Sequence, residues 1–570
     1  MNIGVSQKLT TKLGSHIILE TILEQGIDKV FGYPGGCVIP LFDALLKYPA
    51  LKFYLVRHEQ GATHAADGLA RATGKAQVVF ATSGPGATNC MTGIATALMD
   101  SVPLIVITGQ VKKSVIGTNA FQETNVVGLS RPITKHNFLI NDIKELQFVL
   151  RKAFFIANTG RKGPVLIDIP VDIQTESCHY DSNPKPIVIR GYQDKMVAAD
   201  DLVEKAWQMI AKAKKPIIYA GGGSNSKESS DELIKFIKKT KLPITTTLLA
   251  QGVYPERDSL SLGMLGMHGT YGANIAMTKC DLCLVIGARF DDRVTGEIAS
   301  FLKQSKIIHV DLDPSSINKV KISDLNILSD SLSFLQKINL LARQLDTTKW
   351  LKQLDDIKAK APLKQYIDYQ PKTDKLRPEY ILKLLSDITK GKAFIVTDVG
   401  QHQMFTSLHY SFMYPRSHIT SGGLGTMGFS LPAAMGIATE FKDRVVISIS
   451  GDGGFQMCMQ ELAMIRDYSL AVKIFIFNNR NLGMVKQWQD FFWEARYAST
   501  TFDFNPSFTM IGKAFDIPSY AVREKNEVAG AINKALNTKG PVLVEFKIDP
   551  DSHVFPMVPA GAKLSDIITK

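Results

Sequence analysis

Three times along this 570-residue chain, short apolar runs of β-type composition alternate with stretches of helical periodicity. Parallel strands need a crossover long enough to hold a helix, so this alternation predicts an α/β fold with three domains, each a mainly parallel sheet flanked by helices. The first domain is expected over 10–177, with KVFG, KFYLVR, QVVFAT, PLIVIT and PVLIDIP as strands. The polar, Pro-containing segment 178–194 reads as a linker. A second domain is expected over 195–345, with strands in PIIYAGGG, LPITTT, DLCLVIG and IIHVDLDP, followed by a charged connector around 347–376. The third covers 377–550, with AFIVTDVG, RVVISIS, AVKIFIFNN and PVLVEFKI, and 551–570 reads as an irregular tail. The three stretches have similar lengths, which leaves duplication open, but no letter-level repeat links them.

A chain this long exceeds one hydrophobic core. Hydrophobic residues make 45% and charged residues 21%, an ordinary globular balance. No apolar run reaches the roughly 18–20 residues that span a bilayer, and MNIGVSQKLTTKLG has neither a signal core nor transit character. The expectation is a cytoplasmic protein with no membrane partner. Lys and Arg exceed Asp and Glu by 66 − 54 = 12, but the excess is scattered, without a basic arm or an aromatic-interleaved stripe, so no nucleic-acid partner is expected. Six cysteines are too few for a disulfide scaffold. Cys280 and Cys283 form a CxxC that enters an apolar run, where a strand would turn them to opposite faces as core residues.

In open parallel sheets, ligands bind beyond the carboxyl ends of the strands. Two segments stand out there: SISGDGGF at 448–455 and IFIFNNRNLGMV at 474–485. Gly451, Gly453 and Gly454 permit a tight turn and close backbone approach. The helical pattern of FQMCMQELAMIRD would then aim N-terminal amides at a diphosphate. Asp452 and Asn479 offer hard oxygen ligands of the kind Mg²⁺ takes, with phosphate, water or a main-chain carbonyl completing the octahedron. A lone Asp-Gly is a common turn. Its pairing with Asn-Asn, after 24 intervening residues and the next strand, is far more specific.

That pairing resembles the motif of thiamine-diphosphate enzymes. FGYPGG at 31–36, RHEQGA at 57–62, ADGLARATG at 66–74, TSGPGATN at 82–89, AFQE at 120–123, GARFDDRVTG at 287–296 and NLGMVKQWQ at 481–489 resemble acetolactate synthase catalytic subunits of the FAD-containing, biosynthetic type. The resemblance spans nearly the whole chain. It implies thiamine diphosphate, Mg²⁺ and FAD as cofactors, with Asp452, Asn479 and the main chain of Asn481 as metal ligands. It implies that Glu59 hydrogen-bonds the cofactor's aminopyrimidine and promotes the tautomer that removes the thiazolium C2 proton, with Gln122 as a second catalytic residue. Gln401, His402, Gly451, Gly453, Asn481 and Met484 would bind the same cofactor, and Met427 would be the apolar wedge that keeps it bent. On residue type alone, Glu59 passes for a carboxylate favoured by a helix dipole, and Met427 for core packing.

YAGGGS at 219–224 lacks GxGxxG spacing and by itself says only that backbone approaches something closely. The resemblance assigns Gly221, Gly222 and Gly223 to the FAD site, with Arg161, His268, Arg289 and Asp311. It places Phe121, Met267, Arg293 and Trp488 at the substrate, with Arg293 on the acceptor's carboxylate and Trp488 favouring 2-ketobutyrate. The bland alternatives are a surface ion pair of Arg293 with Asp291 or Asp292, and a structural aromatic. Val171 departs from the family, many of whose members have lysine there. The implied reaction decarboxylates pyruvate and joins the two-carbon unit to pyruvate or 2-ketobutyrate, early in branched-chain amino-acid synthesis. The implied assembly is a homodimer or homotetramer with active sites at the dimer interface, and a separate small regulatory subunit. Rivals on the same scaffold are glyoxylate carboligase, opposed by Glu59, and pyruvate oxidase, opposed by RFDDRVTG and KQWQ. A retired scaffold kept for regulation is opposed by the joint presence of Glu59, Asp452 and Asn479.

Overall fold

The computed structural model describes residues 10–368 and 375–570. Among these, the chain forms two compact units. One runs to Asp194 and adds Met435–Glu440 and Gln460–Tyr468; the other holds the remainder.

The first unit is built on a six-stranded parallel sheet. Its spatial order is Lys52–Leu55, Lys29–Gly32, Gln77–Ala81, Leu104–Gln110, Val165–Pro170, His136–Leu139. Its interior strands are buried on both faces, as expected when helices cover a parallel sheet. On one face, Val78, Ile105 and Ile167 pack with Ile18 and Ile22 of helix Gly14–Glu24 and with Leu150 and Phe154 of helix Ile143–Asn158.

The second unit contains two more six-stranded parallel sheets. The central one runs Ser261–Met264, Ile244–Thr246, Pro216–Ala220, Leu282–Ile286, Lys306–Asp311, Leu325–Leu328. The third runs His418–Thr420, Phe394–Thr397, Val446–Gly451, Val472–Asn478, Val542–Lys547, Ser519–Val522. Numbering strands within each sheet in chain order, the first and third sheets both read 2-1-3-4-6-5, and the central sheet reads 3-2-1-4-5-6. The central order is the one that dinucleotide-binding folds use.

Several sequence expectations need correction. The segment expected as a linker begins as a strand: Ser177–Tyr180 pairs antiparallel with Thr10–Leu13, and only one of its faces is buried, which makes it look polar. The charged connector contains helix Thr348–Lys360, whose Trp350, Leu354 and Ile357 lie on one buried stripe. The Trp350 indole N–H donates to the Pro216 carbonyl at 3.0 Å. The FQMCMQELAMIRD helix is broken: bonds three residues apart, from Met457 to Gly454 and from Cys458 to Phe455, unwind it between Asp452–Gln456 and Leu462–Asp467. Cys280 precedes its strand, so both CxxC sulfurs enter one core cluster instead of opposite faces. The 551–570 segment is not corrected but placed: largely irregular, it packs within the second unit, with Val554, Met557 and Val558 buried and the Val558 N–H donating to the Met267 carbonyl at 2.7 Å.

Candidate active site

At the carboxyl end of the third sheet, strands 1, 3 and 4 are neighbours, and the loops leaving them meet in one cleft. It has a volume of about 100 Å³ and is lined by Gly400–His402, Met427, Gly451–Gly454, Asn479 and Asn481–Val485. Three helices begin at this cleft, at Gln401, Asp452 and Gly483. Their first N–H groups have no partners inside the helices and carry positive dipole ends, which suits a diphosphate. Side chains are excluded from key positions: a Cβ on Gly451 would meet the His402 ring at 3.1 Å, and one on Gly483 would strike the Gln401 amide. Met427 sits in a loop between Gly425 and Gly428, whose φ of 73° and 86° favour glycine.

Asp452 is 1% exposed. Its Oδ2 accepts from Asn505 Nδ2 at 2.6 Å, while Oδ1 is buried with no hydrogen-bond partner. Burial pushes its carboxyl up to about 6. A buried carboxylate oxygen with no donor is costly unless a cation occupies it. Asn479 is held beside it, its Oδ1 accepting the Asn481 N–H at 3.0 Å and its Nδ2 donating to Gln401 Oε1 at 3.3 Å. One carboxylate with amide and main-chain oxygens is a hard-donor set suited to Mg²⁺ beside a phosphate. No cluster of three His, Cys, Asp or Glu side chains occurs among the described residues, so a wholly side-chain metal cage is absent there. His402 is buried with Nε2 unpartnered, and burial lowers it to about 3, so it is neutral at physiological pH.

In the first unit, Glu59 is the first residue of helix Glu59–Thr73 and is 9% exposed. Its Oε2 accepts from Asn89 Nδ2 at 2.9 Å. The glycine loop after Gln77–Ala81 lies between Glu59 and Gln122: a Cβ on Gly86 would meet Glu59 Oε1 at 3.2 Å, and one on Gly84 would meet the Gln122 carbonyl at 2.9 Å. Gln122 has φ 61°, a left-handed conformation uncommon outside glycine. Its neighbour Phe121 is 88% exposed. Arg161 Nε donates to Ser101 Oγ at 2.8 Å. Val171 opens a short helix just after strand Val165–Pro170.

In the central sheet, Gly221–Gly223 follow strand 1 and Gly287–Arg289 follow strand 4, the point where strand order reverses. The close backbone approach inferred from YAGGGS is partly to the chain itself: a Cβ on Gly223 would meet Gly287 Cα at 2.8 Å. Buried polar atoms at this end lack partners, namely the Thr246 and Thr247 hydroxyls and His268 Nδ1. Burial lowers His268 to about 4. Arg289 pairs with Asp291 at 3.2 Å, and Asp311 ends the adjacent strand. A glycine-lined switch point with unsatisfied donors and acceptors fits a dinucleotide.

Met267, Arg293 and Trp488 come together: the Arg293 guanidinium lies 5.8 Å from the Trp488 ring centre and its Nη1 is 3.9 Å from the Met267 sulfur. The ion pair weighed as the bland alternative also exists, with Asp292 at 3.7 Å, but both partners are exposed. Such a pair contributes little.

Four supporting residues escaped the sequence reading. Asn89 and Asn505 orient the two carboxylates. Gln487 links Gln401 to the Val554 main chain. Asp398 accepts from the main chain of Gly428 and Ser430, fixing the Met427 loop. Asp398 directly follows an apolar strand, and the strand-end rule would have found it.

Three family models match: thiamine pyrophosphate enzyme N-terminal TPP binding domain over 12–129, central domain over 203–338 and C-terminal TPP binding domain over 398–546. The chain is 43% identical to acetolactate synthase 1, chloroplastic, of Zea mays, over 97% of this chain and 88% of that protein. It is also 43% identical to the acetolactate synthase large subunit of Buchnera aphidicola subsp. Schizaphis graminum, covering 97% and 98%. Identity to the large subunit of Lactococcus lactis subsp. lactis is 41%, covering 97% and 96%. With the GDG–NN cleft and these full-length matches together, the chain belongs to the acetolactate synthase family of thiamine pyrophosphate enzymes.

Proposed function

We propose that this chain is the catalytic subunit of an acetolactate synthase that decarboxylates pyruvate and joins the two-carbon unit to pyruvate or 2-ketobutyrate. The observation that carries the reading is the buried, unpartnered Oδ1 of Asp452 at a cleft where three helices begin. When bound, thiamine diphosphate supplies the carbon nucleophile and electron sink for both steps. Asp452, Asn479 and the main chain of Asn481 would hold Mg²⁺ against the diphosphate. Gln401, His402, Gly451, Gly453 and Met484 would seat the cofactor, with Met427 as its apolar support. Glu59 would hold and return a proton at the aminopyrimidine, with Gln122 beside the same glycine loop. Arg293 would present a planar fork to the acceptor's carboxylate, with Trp488 and Met267 at its alkyl end, and Phe121 is the remaining residue proposed for the substrate.

FAD would lie at the central switch point, on Gly221–Gly223, His268, Arg289 and Asp311, with Arg161 contributing. The reaction has no net oxidation, so FAD serves a structural role. Two copies of the chain would complete each site, Glu59 from one and Asp452 from the other, alone or within a tetramer, and a separate small subunit would regulate them. No described helix is long and apolar enough to cross a membrane; the proposed compartment is the cytoplasm.

The test is pyruvate turnover with thiamine diphosphate, Mg²⁺ and FAD, with products identified by mass spectrometry. Acetolactate formed without oxygen or another electron acceptor is expected. An oxygen-dependent product such as acetyl phosphate would replace this reading with an oxidase.

A further inference from the structure

We propose that Glu461 is a positioning residue for Glu59: its carboxylate pins the turn from which the Glu59 helix starts. This rests on the reading of Glu59 as the proton-transfer group. Segment Gln460–Tyr468 belongs to the first unit, although it lies some 400 residues further along the chain. It grips the turn at three places. Both Glu461 oxygens lie 3.1 Å from the Arg57 N–H, the Asp467 carboxylate pairs with the Arg57 guanidinium, and the Tyr468 hydroxyl accepts the Leu55 N–H at 2.9 Å.

Glu461 is 0% exposed. Its carboxylate accepts the main-chain N–H groups of Arg57 and His58, the two residues that lead into the helix. His58 Nδ1 serves the N–H of Gln60, the second residue of the helix, at 3.1 Å. The fit leaves no slack: a Cβ on Gly61 would meet Glu461 Oε1 at 2.5 Å. Since Glu59 is the first residue of that helix, any rotation of the turn swings its carboxyl relative to Asn89. The charged and titratable groups around Glu461 are Arg57, His58, Glu59 and Asp467. Burial pushes Glu461 up to about 7, with Glu59 adding in the same direction.

The test compares Glu461→Gln, Glu461→Asp and Glu59→Gln in the full chain. Hydrogen–deuterium exchange at C2 of bound thiamine diphosphate is measured, with the cofactor's Kd. Infrared spectra of the cofactor-free protein give a second readout. Glu461→Gln puts an NH₂ against an N–H donor, and exchange is expected to slow about 10–100-fold, the scale of a small misplacement of a reacting group. Its Kd should stay within about threefold, because the diphosphate groups are untouched. Glu461→Asp keeps the acceptors and should recover part of the rate. The protonated-carboxyl band that titrates near neutrality, to which Asp168 also contributes, should lose one carboxyl's intensity in Glu461→Gln. Wild-type exchange in Glu461→Gln, alongside slow exchange in Glu59→Gln, would overturn the proposal. Wild-type exchange in Glu59→Gln would remove the reading beneath it, and the proposal with it.

Discussion

The first and third sheets share one strand order, 2-1-3-4-6-5, yet carry different chemistry at the same end. In the third sheet, the loops after strands 1 and 3 bring glycines, helix starts and the unpartnered Asp452 oxygen to an open cleft. In the first sheet, the corresponding loops pack on each other: a Cβ on Gly35 would meet Thr82 Cγ2 at 2.5 Å. The acid there follows strand 2, as Glu59, and is held by a neutral amide. In the third sheet the loop after strand 2 carries the apolar Met427 instead. Topology fixes which loops gather at one end. The residues on them would decide whether that end holds a charged ligand or a single proton-handling group, the division proposed for these two sheets.

The sharpest break of this comparison is Glu59→Gln. If the first sheet supplies proton transfer and the third supplies binding, the variant should bind thiamine diphosphate and Mg²⁺ normally while C2 exchange slows about 10²–10⁴-fold. Exchange measured on the bound cofactor decides it, and a matching loss of cofactor affinity would mean the two ends are not divided this way.

Strand 6 gives a second contrast. Asp168 in the first sheet is buried and bonded only to neutral donors, Thr108 Oγ1 at 2.7 Å and Gln110 Nε2 at 3.0 Å, and burial raises it to about 7. Glu545 on strand 6 of the third sheet has Asn478 at 2.6 Å and also the Lys547 ammonium. A carboxyl raised in the folded state gives stability that is complete below its unfolded value, about 3.8, and is lost as pH rises through about 7. Asp168→Asn does not titrate, so its stability relative to wild type should grow by about 4 kcal/mol between pH 4 and 8 and level off above 7. Urea unfolding across that range measures it. A flat difference would show that the first sheet tolerates its unpaired acid as easily as the third tolerates its paired one.

Asp452→Ala tests the third sheet directly. Even a hydrogen-bonding partner of a metal ligand is worth about 10–100-fold in metal affinity, so losing the charged ligand should cost on the order of 100-fold in Mg²⁺-dependent cofactor binding. Asn505→Ala should cost about tenfold. Calorimetric titration at limiting Mg²⁺ gives both numbers, and unchanged affinity in Asp452→Ala would empty the cleft of its proposed metal.

Interior strands were legible because burial on both faces makes them continuous apolar runs, as in VVF at 78–80 and IFIF at 474–477. Five edge strands of the three six-stranded sheets were not. His136–Leu139 and Ser519–Val522 are mostly half-exposed, and His418–Thr420 is three residues long. Candidate ligands were legible because they directly follow strands. Their supports were not, since each depends on a distant part of the chain: Asn505 is 53 residues from Asp452, and Glu461 is 404 from Arg57. Nothing local in QEL or FNP announces such a contact.

The smallest expected effect concerns the segments after strand 4, a loop in the first sheet and helix Gly483–Phe492 in the third. Phe121 follows that strand in the first sheet and Trp488 follows it in the third. Pyruvate and 2-ketobutyrate present the same 2-keto acid head, so Arg293 in its proposed role would orient both without telling them apart. Discrimination falls to apolar contact with one extra methylene, worth roughly 1–3 kcal/mol, or about 10–200-fold. Trp488 is partly covered and stacked near Arg293, whereas Phe121 is 88% exposed. A rigid ring already held in place suits that contact better than a free one. Trp488→Leu should therefore lower the ratio of 2-aceto-2-hydroxybutyrate to acetolactate about tenfold when both keto acids compete, leaving acetolactate formation from pyruvate alone largely intact. Phe121→Leu should shift the ratio less. Arg293→Ala should weaken both acceptors and leave the ratio near wild type. If Phe121→Leu moves the ratio more than Trp488→Leu, acceptor choice belongs to the first sheet, and the division of labour drawn between the two sheets is wrong at its third point.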